Sequence, residues 1–256
     1  MSSQDLVVHS TLRPAEHGAL EEGAWVAERG GAPDAVLMIS PSGARLFAAD
    51  DLAAPTWWFS VTVRDPVAAP GRAVMAPPAE VYAALATARG RGGVRAEAWS
   101  DLIRFEGPVA SAEIRGRVVD FDVGVGIPVS EDDELEVGDY CAVATAAVPP
   151  TLATDVAAIA PSARILELGV VAARGWWLGV VGDNGRARVL PAEVITRPRR
   201  TAVAGRYPVA VLDALLSMAG PGDLTVEFVE PPERPALHVR WEPARRARAE
   251  FFVAHA

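Results

Sequence analysis

The sequence has 256 residues, 50% hydrophobic and 22% charged, which is the balance of a folded chain with one large domain or two of ordinary size. All 24 basic residues are arginine, which excludes a P-loop and a Schiff-base lysine. The single Cys141 excludes an intramolecular disulfide and a multi-cysteine zinc site, and the four histidines lack metal-binding spacing. We therefore expect no metal and no cofactor.

The net charge of −9 and the pI near 5.0 argue against a protein that binds nucleic acid through its average charge, although a basic stripe can lie within an acidic total. The first residues, MSSQDLVVHS, lack the basic and apolar regions of a signal peptide, and no apolar run is long enough to span a membrane. We expect a cytoplasmic protein. The abundance of Ala, Arg, Gly and Pro, which share GC-rich codons, indicates a bacterial source.

In the first half of the chain, a strand–helix–strands pattern occurs twice. The segment LVVHSTLRP predicts a strand that leads into a helix over about 14–29, and 35–50 predicts two strands joined by a turn. A second helix is predicted to begin at Pro78, with a strand beginning at Val94. Each helix therefore starts beside a proline and is followed by strands.

The second half repeats this pattern. The segment YCAVATAAVPP predicts a strand before a helix at about 150–159, residues 164–183 predict two strands, and another helix is predicted at about 208–218. Residues 78–99 and 208–229 align at a constant offset of 130 residues. The aligned pairs are Pro78 with Pro208, Val81 with Val211, Leu85 with Leu215, Val94 with Leu224, and Ala98 with Phe228.

Four such copies predict the fold class and the domain organisation. The copies cover about 4–65, 71–120, 138–197 and 201–256. One helix for every three or four strands predicts an α+β fold with helices on one face of antiparallel sheets, in two domains related by a pseudo-twofold repeat. The acidic run EDDELE in 120–138 predicts an exposed linker. We predict domain 1 over 1–122, an interdomain connector loop over 123–138, and domain 2 over 139–256.

Five segments, in their order along the chain, resemble segments of the DNA sliding clamps of the proliferating-cell nuclear antigen type. MISPSGARLFAADD resembles a strand–turn–strand that ends in Asp, and VDFDVGVGIPVSE resembles the end of the first domain with its connector loop. GVVGDNGRARVL, YPVAVLDALL and the terminal FFVAHA resemble segments of the second domain. The resemblance covers nearly the whole chain, and it rests on the order and the repeat rather than on any single motif.

The resemblance implies a two-domain processivity factor in which the helices line a central hole and the sheets form an outer wall. Two domains per chain imply a homotrimeric ring, closed by strand addition between sheet edges. Bacterial replicative clamps usually carry three domains, so a two-domain chain would be a specialised or phage-like clamp. The two segments that resemble the subunit interface contain Ala112, Ile114, Arg115 and Val118 in domain 1 and Arg186, Arg188 and Leu190 in domain 2.

The predicted helices carry few of the basic residues that a clamp presents to phosphates. The first helix carries Arg29 and His17 against four glutamates, and the candidate contacts are Arg13, Arg89 and Arg91, so we expect weak, sequence-independent contact with double-stranded DNA. The arginine clusters RPRR at 197–200 and ARRAR at 244–248 are an alternative source of contact. A third possibility, a ring that encircles nothing, stays open.

The family also binds partner peptides in a hydrophobic depression beneath the connector loop. The matching residues of this sequence are Leu52, Val125, Ile127, Pro128, Pro235, Phe252 and Ala254. His255 stands where the family has a proline, and small Ala53 and Ala54 follow Leu52, so the pocket would differ in width or depth. The implied partners are peptides of a polymerase, nuclease or ligase, and a clamp loader.

Two functions remain open at this point. The first is a sliding-clamp scaffold for DNA replication or repair, associated with the nucleoid, and the second is a clamp-fold assembly partner or competitor that does not tether DNA. The sequence contains no GxSxG elbow, no paired-carboxylate motif and no phosphate-binding glycine loop. We therefore expect that the protein is not an enzyme.

Overall fold

The computed structural model describes residues 7–51, 55–66, 69–119, 141–172, 176–196, 202–220, 222–230 and 236–256. The chain divides into two compact units, of which unit 1 holds Met1–Ile127 and Glu242–Ala249, and unit 2 holds Pro128–Trp241 and Glu250–Ala256. The predicted connector at 123–138 lies outside the described residues. No helix in the described part is long and apolar enough to cross a membrane.

Unit 1 contains two copies of the predicted strand–helix–strands pattern. The first copy consists of β1 (Val8–Leu12), α1 (Pro14–Gly30), β2 (Asp34–Ser40), β3 (Gly43–Ala49) and β4 (Trp57–Arg64). The second consists of β5 (Arg72–Ala76), α2 (Pro78–Ala88), β6 (Val94–Ala98), β7 (Leu102–Glu106) and β8 (Ser111–Arg115), followed by β9 (Arg117–Val119).

Unit 2 repeats the order. Its first copy consists of β10 (Cys141–Val148), α3 (Thr151–Ile159), β11 (Ile165–Ala172), β12 (Trp176–Gly182) and β13 (Ala187–Pro191), followed by β14 (Glu193–Thr196). Its second consists of β15 (Ala202–Pro208), α4 (Val209–Leu216), β16 (Leu224–Glu230), β17 (Ala236–Ala244) and β18 (Ala247–Ala254). The part of the β17–β18 hairpin within Glu242–Ala249 belongs to unit 1.

The two copies in each unit interlock by exchanging their first strands. In unit 1, β1 pairs with β6 to give the sheet β1-β6-β7-β8, while β5 pairs with β2 in the run β4-β3-β2-β5-β9. In unit 2, β15 pairs with β11 in the sheet β13-β12-β11-β15, while β10 pairs with β16 in the run β14-β10-β16-β17. All these pairings are antiparallel. Because each copy supplies a strand to the other, both are needed to complete the sheets of a unit.

The start, the end and the packing of α1 follow from its sequence. Pro14 occupies the first turn, and the backbone N–H of Arg13 donates to a carboxylate oxygen of Glu16 at 2.9 Å. Gly31 ends the helix in the left-handed conformation at φ 81°. A Cβ on Gly23 would lie 2.7 Å from Val61, so this glycine allows α1 to approach β4 closely. The apolar faces of α1 and α2 fill the core of unit 1.

Two local details concern the predicted interface segments. The segment that contains Ala112 and Val118 is divided at Gly116, where a Cβ would lie 2.2 Å from the backbone oxygen of Met75, so only glycine fits as the chain passes from one sheet to the other. The turn at 182–185, before the second segment, contains one positive-φ residue, Gly185. It is therefore a three-residue loop with a glycine bulge, in which Gly185 N–H donates to Gly182 O at 3.0 Å.

Candidate functional site

The exposed sides of α1 and α2 carry little positive charge. On α1, Glu22, Glu28 and Arg29 are exposed, and the guanidinium of Arg29 stacks on the partly exposed ring of Trp25 at 5.1 Å. The one charged residue within α2 is Glu80. Ala84 of α2 is buried. The exposed sides of α1 and α2 therefore present mainly small, neutral or acidic side chains.

Arg89, a predicted DNA contact, is paired with a buried carboxylate. Its Nε donates to an oxygen of Glu21 at 2.9 Å, and its Nη2 forms a second bond to the other oxygen. The Glu21 side chain is only 2% exposed, whereas that of Arg89 is 70% exposed. The hydrogen bond to Glu21 raises the pKa of Arg89. The guanidinium of Arg89 is thus already paired with a carboxylate of unit 1 before any phosphate approaches.

The other two predicted DNA contacts lie at the ends of the helices. Arg13 precedes α1, is exposed, and places its Nε 3.9 Å from buried Glu16, which also lies 3.7 Å from the Nε of Arg64. Arg91 is exposed after α2 and forms no ion pair within the described residues. Of the three predicted arginines, Arg91 has the least compensated charge.

The helices of unit 2 contribute no basic side chain. The sequences of α3 and α4, TLATDVAAI and VAVLDALL, contain no arginine or histidine. Asp155 of α3 lies 3.4 Å from the Nε of Arg188 on β13. Ala214 of α4 is buried. The arginine cluster at 197–200 lies outside the described residues, and Arg245 and Arg246 at the β17–β18 turn are exposed.

The β13 strand ends its sheet and points alternate peptide groups away from it. Gly182 N–H donates to Arg186 O at 2.8 Å, which makes this cross-strand pair hydrogen-bonded. Because bonded and non-bonded pairs alternate along an antiparallel ladder, Ala187, Val189 and Pro191 direct their backbone groups toward the open edge. Consistent with this, Ala187 O accepts from the Arg188 guanidinium at 3.1 Å rather than from β12.

The β8 strand ends the corresponding sheet of unit 1 in the same way. Gly107 N–H donates to Ala110 O at 2.9 Å, so the same alternation directs the backbone groups of Ser111, Glu113 and Arg115 toward the open edge. Among the sheet edges that the structure describes, β8 in unit 1 and β13 in unit 2 therefore occupy matching positions, and each directs peptide groups outward at every second residue.

The seven predicted interface residues differ in the direction of their peptide groups and in the burial of their side chains. Arg115 lies on the open edge of β8, and Val118 is exposed on β9. The other five direct their peptide groups to the neighbouring strand of their own sheet, and two of them have buried side chains. These five are Ala112, Ile114, Arg186, Arg188 and Leu190, with Ile114 and Leu190 buried.

Most of the predicted peptide pocket cannot be placed. Five of its residues lie outside the described part of the chain, namely Leu52, Val125, Ile127, Pro128 and Pro235. Phe252 and Ala254 lie on β18 and are buried. The end of the chain is held on unit 2, since Ala256 N–H donates to Arg206 O at 2.8 Å and His255 contacts the ring of Tyr207.

Unit 2 also contains a buried charge cluster that the sequence analysis missed. His238 on β17 lies between two glutamates, with Nδ1 2.9 Å from Glu227 and Nε2 3.4 Å from Glu250, and Arg240 contacts Glu227 at 2.7 Å. Burial opposes protonation of His238, yet its hydrogen bonds to both glutamates raise its pKa. The alternation of His238 and Arg240 along β17, opposite Glu227 on β16, is the signal that could have identified it.

The four helices and antiparallel sheets of the described residues form a clamp fold. This fold is similar to the crystal structure of PCNA from Thermococcus kodakaraensis, with a TM-score of 0.66 over 98% of this chain and 100% of that chain, at 13% sequence identity. No protein-family model and no curated protein matches the sequence. The comparison thus establishes the fold alone. The open edges of β8 and β13 and the charges of the helices are the observations from which a function can be argued.

Proposed function

We propose that this protein is a sliding-clamp-like scaffold that assembles as a homotrimeric ring. The observation that carries the proposal is that β8 and β13, at matching ends of the four-stranded sheets of the two units, have outward-directed peptide groups within a clamp fold. Antiparallel pairing of β8 of one copy with β13 of the next would satisfy their outward peptide groups and remove two exposed edges. A mass equal to three chains in solution is the first expected result.

The ring would pass over duplex DNA with little electrostatic grip. Arg91 and Arg13 are the candidate contacts, and Arg89 contributes less because Glu21 compensates its charge. Each neutralised phosphate adds about −0.9 to the slope of log K against log salt, so we expect a shallow slope. Charge removal at Arg91 should weaken nonspecific retention. Unchanged retention would assign the contact to the arginines at 197–200 and 244–248, or to none.

Partner tethering is the second part of the proposal. The apolar residues that resemble the clamp pocket would hold a peptide of a polymerase, nuclease or ligase, and the protein would act without catalysis of its own. Ile127→Ser should abolish binding of a fluorescent peptide with aliphatic and aromatic anchors while leaving ring assembly intact. Equal affinity of the variant and the parent would show that the pocket assignment is wrong.

The alternative is a clamp-fold protein that does not tether DNA, an assembly partner or competitor of another clamp. The neutral or acidic exposed sides of all four helices favour it. Loading on a nicked DNA circle, followed by linearisation, separates the two functions. A sliding clamp is retained on the circle and lost from the linear form, whereas the alternative predicts no difference between the two forms.

A further inference from the structure

The outward face of the β13-β12-β11-β15 sheet in unit 2 has an apolar patch centred on β12, beside the exposed Glu167 of β11 and Arg206 of β15, which lie in the same row as Val181. Val189 is 64% exposed, Val171 43%, Val181 42% and Trp177 38%. Their exposed parts amount to roughly 350 Å², which is in the size range of the largest apolar patch on a typical soluble monomer, a patch that is often functional. The other outward positions of β12 and β13 are Gly179, Ala187 and Pro191, so these two strands present no charge on this face.

The corresponding sheet of unit 1 is constructed in the opposite way. One row across its four strands consists of His9, Glu97, Arg104 and Glu113, in cross-strand register. His9 lies 3.3 Å from Glu97, and Arg104 Nε donates to Glu113 at 2.8 Å. The same architecture therefore has a charged row across all four strands in unit 1, whereas in unit 2 the outward face of β12 and β13 carries no charge.

The apolar face contains a notch at Gly179. A Cβ at this position would meet only the backbone oxygen of Gly169, at 3.7 Å, so the space above it is open. Trp177 and Val181 stand on either side along β12, and Val189 is the cross-strand partner on β13. Val189, the most exposed of the four apolar side chains of this face, thus lies directly beside the notch at Gly179.

The large and small residues of β12 and β13 alternate in a self-complementary pattern. In register, Gly179 is opposite Val189, Val181 is opposite Ala187, and Trp177 is opposite Pro191. In each of these three cross-strand pairs, a larger outward side chain lies opposite a smaller one. Consider two copies of this face related by a two-fold axis that runs parallel to the strands, between β12 and β13. Each residue of one copy would then face, on the other copy, the residue type that is its own cross-strand partner. Val189 of either copy would then enter the notch at Gly179 of the other.

We propose that two copies of this chain associate face to face through β12 and β13 of unit 2, with the two-fold axis between those strands. An axis between β11 and β12 is disfavoured because it would oppose Trp177 to Val171 and Gly179 to Gly169, leaving one row crowded and the next empty. The pattern fits a second copy better than an unrelated partner, because a two-fold contact requires one surface to complement itself.

Charge and area define the strength of this association. The chain carries a net charge of −9, so copies repel one another in general, and an uncharged face is where that repulsion is least. The apolar area of both faces together, roughly 700 Å², is below the 1,200 Å² of a small stable interface. We therefore expect a weak, concentration-dependent association, observed by sedimentation equilibrium between about 5 and 500 µM.

The decisive variant is Gly179→Val, which fills the notch. The fold should accept it, because the space above Gly179 is open and valine is favoured in strands. Although the variant makes the face more apolar, the dissociation constant of the face-to-face step should rise at least tenfold. Nonspecific hydrophobic association would instead become stronger. Gly179→Val combined with Val189→Gly exchanges the large and the small position and should restore association.

The Gly179→Val test is independent of the proposed ring, because Gly179 lies on β12 and the open edge of β13 is unchanged, so a ring would persist as the limiting mass at low concentration. Val189 lies on β13, so the limiting mass of the double variant also reports whether its ring is retained. Val109→Glu, at a 91% exposed valine of unit 1, is the control for a surface change elsewhere and should associate like the parent. A parent mass independent of concentration, a Gly179→Val variant that associates as well as the parent, or a double variant without recovery would each overturn the proposal.

Discussion

A proline at position 187 tests the proposed ring through a single peptide group. The N–H of Ala187 points to the open edge of β13, so its removal breaks no bond to β12. Pro191 already occupies the equivalent phase of the same strand. We therefore expect Ala187→Pro to fold as the parent does and to change only what pairs with the edge.

The expected effect on assembly follows from the loss of one donor at each interface. A carbonyl of the facing β8 would be left without its partner in a desolvated contact, which costs about 1–3 kcal/mol. This corresponds to roughly 5- to 150-fold weaker association for each interface. A closed ring depends on all three interfaces, so the variant should dissociate at concentrations where the parent remains assembled.

Light scattering provides the readout, since three 26.9 kDa chains are easily distinguished from one. Ala204→Pro is the matched control, because Ala204 N–H points to the opposite edge of the same sheet by the same alternation. We expect Ala204→Pro to assemble like the parent. A monomeric parent at micromolar concentration would refute the ring, and equal masses for Ala187→Pro and the parent would refute the edge pairing.

Three further predictions concern the charged clusters. Arg89→Ala should lower the melting temperature of unit 1 by roughly 3–10 °C, because Glu21 loses its partner, while Arg91→Ala should leave it unchanged; equal melting of both variants would contradict this. Glu21→Gln should strengthen DNA retention by releasing the charge of Arg89, and weaker or equal retention would show that α2 does not face DNA. The raised pKa of His238 means that its contribution to the free energy of unfolding is complete below pH 6.5 and is lost as the pH rises through the folded-state pKa. Denaturant midpoints should therefore fall from about pH 6 to pH 9 in the parent and less in His238→Gln, and parallel pH curves would exclude this role.

The fold could be predicted because its periodic signals are strong and repeated. Prolines at the helix starts and the 130-residue offset correctly located α2 and α4. The periodicity does not predict that the two copies in a unit exchange their first strands, because the strand with which each first strand pairs depends on the whole sheet.

The candidate site was less predictable because its chemistry depends on distant partners. Glu21 lies four residues after buried His17 and three before buried Ala24, on the core side of α1. An acidic residue in that position is interpreted as surface unless its partner is known, and Arg89 lies 68 residues away. The sequence likewise does not predict which peptide groups of an edge strand point outward, because this depends on hydrogen bonds that form only in the folded hairpins.

The distribution of charge determines how such a protein could be retained on DNA. A clamp with basic helices gains affinity from counterion release, and that term weakens steeply with salt. Here the helices of unit 2 have no basic side chain, and the arginine nearest α2 is paired with Glu21. Retention would therefore depend on ring closure rather than on phosphate contacts. It should vary little with salt on a closed circle, up to the concentration at which the β8–β13 pairing itself dissociates.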